Sequence, residues 1–175
     1  SAGFAPALIC LRASAAIFGP HGWSELGVEA LIPGSGTVGL QPGEFVVDVR
    51  LPAPPPRSGG AYIRLSPQEA SDRSVTGTGV ILVMEEDLVT CCGARVVLGG
   101  TAGTTAFRPL EAERFLAGKR LDPAVVQEAA TLAVRSVKHE ERAGARLKAN
   151  PLEAIAETAR RTILEALARV HKAAA

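Results

Sequence analysis

The 175-residue chain reads as an α+β protein: a small antiparallel three-stranded sheet packed against C-terminal helices, preceded by a partial α/β lobe. Three observations predict this class. A period-two segment over 44–51 and further β-like runs up to residue 98 are followed by a helical apolar period after residue 108, and a proline run followed by two glycines separates the first of those strands from the rest. Aromatics make up only 4% of a chain that is 47% hydrophobic, so its core must be built mainly from Ala, Val, Leu and Ile, which suits thin layers of helix and sheet.

Each element follows in order. Residues 5–16 form an apolar stretch that holds Arg12, with neither a basic leader nor a small-residue cleavage site. Residues 15–18 read as a short strand entering a turn at Gly19-Pro20-His21-Gly22, and residues 23–31, opening on Trp23, show weak helical spacing. Over 44–51, Phe45, Val47, Val49 and Leu51 alternate with Glu44, Asp48 and Arg50, the pattern of a half-buried strand. The run from Pro52 through Pro54, Pro55 and Pro56 to Gly59 and Gly60 stiffens the backbone and then frees it, which marks a boundary between a unit over 1–55 and a second over 60–175. Three strands are expected over 61–65, 75–84 and 89–98, with Glu85, Glu86 and Asp87 in an exposed hairpin loop between the last two. A helix over 109–118 ends at Gly118. Asp122-Pro123 and Asn150-Pro151 each place a cap before a proline at the first helical position. The second pair opens a long helix on which Leu152, Ile155, Ala159, Ile163, Leu167 and Val170 recur every three or four residues.

Charge and motifs exclude several functions. With 19 basic against 18 acidic side chains the net charge is +1, which leaves no concentrated basic face for nucleic acid. No window approaches the run of about 18 apolar residues that a membrane-spanning helix needs, and a cytoplasmic location is expected. Cys10, Cys91 and Cys92 read as reduced structural thiols, and His21, His139 and His171 occur in unrelated contexts, so no metal site is expected. Gly34-Ser35-Gly36 has glycines but no strand entering and no helix leaving, which makes it a loop and not a phosphate cradle. The Gly99-Gly100-Thr101 segment lies between a strand and a helix, where backbone amides are available to a polar ligand, yet small residues serve such turns anyway.

The order of segments carries more. Val97-Leu98-Gly99-Gly100-Thr101-Ala102, then Arg108, Glu111-Ala112-Glu113 and Leu116-Ala117-Gly118 resemble the C-terminal domain of the FAD-binding medium subunits of molybdenum hydroxylases of the carbon monoxide dehydrogenase and xanthine dehydrogenase type. Ala5-Pro6-Ala7-Leu8, the 43–52 strand and Ala61-Tyr62-Ile63-Arg64-Leu65 resemble further segments of the same family. The likeness is most specific over 43–118 and weakens after residue 137.

The resemblance implies a subunit of an FAD-dependent oxidoreductase, not active alone, in which iron–sulfur clusters carry electrons from a molybdenum centre to FAD. It implies an N-terminal FAD-binding lobe, an iron–sulfur subunit and a molybdenum subunit as partners. It puts Val46 where the family packs an aliphatic side chain against the flavin, and Ile63 or Arg64 where it often places a lysine near the polar edge of the ring, with Tyr62 beside them. A fixed charge at Arg64 would favour a reduced, anionic flavin. Departures are equally specific. Gly3 stands where the family has a flavin-contacting Asp, Pro67-Gln68 replace an arginine pair, and the lobe whose backbone amides hold the FAD diphosphate is expected outside this chain, so FAD should bind weakly, if at all, to the chain alone. The alternative is a degenerate, non-catalytic relative that keeps the fold as a docking or scaffold module without flavin.

Overall fold

The computed structural model describes residues 4–33, 37–65, 76–99, 106–142 and 152–174. A short helix α1 (Ala5–Cys10) leads into β1 (Ser14–Gly19) and β2 (Gly22–Gly27), a hairpin closed at Gly22, whose φ of 93° is the left-handed geometry glycine adopts without cost. β2 corrects the helical reading of 23–31. Its residues hydrogen-bond to β1, Phe18 opposite Trp23 and Ala15 opposite Leu26, and only Val28–Leu31 forms a helix, α2. The pairing partner, not the local spacing, decides the state of this segment.

β3 (Phe45–Arg50) pairs antiparallel with the other side of β1, giving a sheet of order β2-β1-β3. It is a strand, as the alternation predicts, but all six of its residues are exposed. A register shift at Ala16 and Ile17 leaves Val47 without a partner across the pair and breaks the alternation, while β1 takes the covered central position, where Ala15 and Ile17 pack with Leu31.

The larger sheet contains β4 (Ser58–Leu65), β5 (Thr76–Met84), β6 (Cys91–Gly99) and β7 (Ala106–Phe107), antiparallel in that order. Three strands are the expected ones. β7 is an additional two-residue edge strand against Leu98 and Gly99, and Gly59 and Gly60, expected in a linker, lie inside β4. In the β5–β6 turn the Asp87 carboxylate accepts hydrogen bonds from the Val89 and Thr90 amides and the Thr90 hydroxyl, which hold its pKa below the usual carboxylate range.

One face of this sheet presents Val80, Leu82, Met84, Val96 and Leu98 to three helices, α3 (Leu110–Leu116), α4 (Pro123–Arg142) and α5 (Leu152–Ala174). Asp122 caps α4 by accepting from the Val125 amide at 2.8 Å, and Gly118 after α3 has φ 77°, both as the sequence predicts. Helices do not cover one face alone. α1 lies on the opposite face, where side chains at Gly79 and Gly99 would collide with Pro6 and Cys10. Glycine there permits the close approach of helix to sheet.

Candidate functional site

β4 carries three of the four residues the resemblance points to. Gly59 and Ala61 face α5, so strand alternation turns Ile63 to that same face and Tyr62 and Arg64 to the α1 face. The Tyr62 ring lies over Gly77, its hydroxyl only 2.5 Å from where a Cβ would stand. Burial raises the pKa of this phenol and the positive charge of Arg64 opposes the shift, which places the two groups within electrostatic reach of each other. Val46 stands on the smaller sheet, opposite Ile17 and exposed. Tyr62 and Arg64 are therefore together, Ile63 is separated from them by the thickness of the sheet, and Val46 belongs to a different sheet. Gly3, Pro67, Gln68, the Gly34 to Gly36 glycines and most of the Gly99 turn lie outside the described residues.

A phenol, a guanidinium and an exposed aliphatic side chain suit the edge and face of a flat heteroaromatic ring. None of the four is a set of backbone amides or paired cations of the kind that holds a diphosphate. The fit is thus to a flavin ring and not to the rest of FAD.

Beside this face lies a polar network that spacing alone did not single out. The Glu113 carboxylate, 8% exposed, accepts from the Val96 amide at 2.9 Å and from Arg108 at 3.1 and 2.7 Å. Arg108 also reaches Glu29 at 3.4 Å, and Glu29 pairs with Arg95, whose Nε donates to the Ile9 carbonyl at 2.8 Å. The hydrogen bonds that Arg108 donates to the Glu113 carboxylate keep it charged, with its pKa raised further above the ordinary value. Four elements, α1, α2, β6 and α3, are tied through these side chains. A signal for it did exist: Glu113 shares the buried face of α3 with Ala112 and Leu116, an unusual place for a carboxylate.

The cysteines are all free; burial pushes the thiol of Cys10 up to about 12 and that of Cys91 to about 11. Among the described residues no cluster of three or more His, Cys, Asp or Glu side chains could hold a metal ion, and no helix is long and apolar enough to cross a membrane.

Residues 61–166, which include Tyr62, Arg64, Arg108 and Glu113, match the model of the CO dehydrogenase flavoprotein C-terminal domain. The chain belongs to this family. It is 30% identical over 129 residues to the carbon monoxide dehydrogenase medium chain of Afipia carboxidovorans, covering 73% of this chain and 43% of that one. It is 35% identical over 99 residues to the 6-hydroxypseudooxynicotine dehydrogenase complex subunit alpha of Paenarthrobacter nicotinovorans, covering 56% and 32%. Among solved structures, reconstituted CO dehydrogenase from Oligotropha carboxidovorans superposes with a TM-score of 0.75 at 26% identity over 94% of this chain and 56% of that chain. The chain spans less than half the length of the curated relatives it matches. The family expected from the motifs is the family found, and the fold class, α+β with C-terminal helices on an antiparallel sheet, is that of its structural neighbours.

Proposed function

We propose that this chain forms one wall of the flavin site in the FAD-binding subunit of a molybdenum hydroxylase. The observation that carries the reading is the family match over 61–166, which includes the part of β4 that carries Tyr62 and Arg64. FAD, when bound, supplies the redox chemistry. The chain's own residues position and bias it. Arg64, on the exposed α1 face of β4, offers a permanent positive charge to the polar edge of the ring, and Tyr62, braced on Gly77, supplies a flat partner surface. Ile63 points into the helix-covered side, so Arg64 is the better match to the family's lysine. Val46 supplies an aliphatic contact from β3 when the assembly brings the two sheets around the ring. The diphosphate is held by an N-terminal lobe outside this chain, and an iron–sulfur subunit and a molybdenum subunit complete the cytoplasmic electron path.

The test is reconstitution. The chain is mixed with an N-terminal FAD-binding lobe from the related carbon monoxide dehydrogenase medium chain, and flavin absorption and fluorescence quenching are measured after removal of free FAD. Retained, quenched flavin supports the proposal, and Arg64→Ala should then lower the flavin midpoint potential, because the form with more negative charge loses its counter-charge. An unchanged potential removes Arg64 from the site. No retained flavin with the lobe supplied favours the docking-module reading instead.

A further inference from the structure

Under the proline run lies a cleft of about 350 Å³, at the end of the large sheet where Ser58 pairs with Val83, away from the Leu65 end toward which Tyr62 and Arg64 lie. Its floor is Ile81, Val83 and Gly93 on the α1 face of β5 and β6, and one wall is Pro52, Pro54 and Pro55. Prolines fix that wall before any ligand arrives, which removes part of the ordering cost of binding. The volume lies at the lower end of the range for small-molecule sites.

The charge on this cleft is one-sided. Arg12 and Arg95 line it, and among the described residues no carboxylate does. Arg95 is engaged by Glu29 and the Ile9 carbonyl, but the Arg12 guanidinium has no partner among the described residues. Arg12 also occupies an unusual backbone position. α1 ends with the Ala13 amide bonded to the Leu8 carbonyl and the Arg12 amide to the Ile9 carbonyl, a Schellman closure in which the left-handed residue is usually glycine. Here it is Arg12, with φ 55°, at a cost of about 1 kcal/mol that a glycine would avoid. Cys10 contributes a neutral surface, because burial keeps its thiol protonated at ordinary pH.

We infer that this cleft binds a small organic carboxylate, an apolar body of one ring or a short branched chain seated on Ile81, Val83 and Gly93 with its carboxylate against the Arg12 guanidinium. The inference is independent of flavin binding, since it uses none of the residues assigned to the flavin wall. Benzoate is the probe and benzamide its uncharged counterpart, titrated into the 175-residue chain with backbone amide shifts read by NMR.

Benzoate should shift the Gly93 and Ala94 amides saturably, and benzamide should bind at least about tenfold more weakly, the ratio expected for loss of one charge-assisted contact. Arg12→Gln, an exposed change, should weaken benzoate by about tenfold and leave benzamide unaltered. Gly93→Val fills the floor at a position where a Cβ meets nothing within 4 Å, and should abolish both while leaving shifts elsewhere intact. Shifts that stay linear in benzoate, equal affinity for the two probes, or benzoate affinity unaltered in either variant would overturn the inference. Should Gly93→Val fail to fold, the benzamide comparison and Arg12→Gln decide alone.

Discussion

Replacing Glu113 by Ala removes the central acceptor of the network that ties α3 to β6. The Val96 amide, in a buried strand, loses its partner, which costs about 1–3 kcal/mol for an unsatisfied buried donor. Arg108 loses a two-pronged contact at 3.1 and 2.7 Å but keeps Glu29 at 3.4 Å, and its side chain is 24% exposed, so water recovers part of the loss. The total should therefore fall at about 3–4 kcal/mol, the lower part of the range for breaking a buried pair from one side. Glu113→Gln keeps an acceptor for Val96 but removes the charge and turns the oxygen that accepts from Arg108 Nη2 into a donor, and should cost about 1–2 kcal/mol. For a chain of this size, 3 kcal/mol corresponds to a fall in Tm of roughly 6–12 °C. Urea unfolding followed by circular dichroism, with the midpoint compared at constant slope, measures both variants. A Glu113→Ala protein within about 1 kcal/mol of the parent, or a Gln variant as damaged as the Ala variant, would refute the reasoning that this carboxylate satisfies buried groups.

Three further outcomes follow from the packing. Gly59→Ala places a Cβ 2.3 Å from the Ala166 carbonyl oxygen of α5, a backbone atom that cannot rotate away, and should cost about 1–3 kcal/mol in urea unfolding, whereas Gly60→Ala meets only the movable Ile81 Cδ1 and should cost less. Thr78 is buried with its hydroxyl unpartnered among the described residues, so Thr78→Val should leave calorimetric stability unchanged or raise it by up to about 1 kcal/mol; a loss larger than that would reveal a hydrogen bond at this hydroxyl. The folded pKa values of Cys10 and Cys91, about 12 and about 11, lie above their ordinary 9.0, so folding holds these protons more tightly than the unfolded chain does. Their contribution is complete below pH 9 and declines as pH rises toward 12. In native protein at pH 8 a thiol reagent should modify exposed Cys92 first, and Cys10→Ala should flatten the alkaline decline; equal reactivity of all three thiols would contradict the burial.

Much of the architecture is legible in local pattern because its cause is local. Asp122-Pro123 specifies a cap and a first turn that need no distant partner, and the apolar stripe from Ile155 to Val170 marks a buried helical face whatever it packs on. The segment opening at Trp23 misleads for the opposite reason: its strand state depends on hydrogen bonds to β1, up to 13 residues away along the hairpin and invisible to spacing. β3 likewise alternates in sequence, yet it is exposed throughout because what covers a strand is decided by its position in the sheet.

At the candidate site the division is the same. Motif order in the chain pointed to the family and to Val46, Tyr62, Ile63 and Arg64, but could not choose between Ile63 and Arg64. The pleat sets the two apart, since successive side chains leave opposite faces of β4 and only one of those faces is closed by α5. Thus composition, caps and periodicity determined that the chain folds as helices over an antiparallel sheet, and the resemblance carried by its motif order pointed to the family. Only tertiary structure decided that α1 packs on the second face over β5 and β6, that Glu113 ties four elements through Arg108 and Glu29, and that Arg12 lines one cleft with the proline run. Those features join residues as much as 86 positions apart, and such contacts arise from packing and register, which no local window of sequence contains.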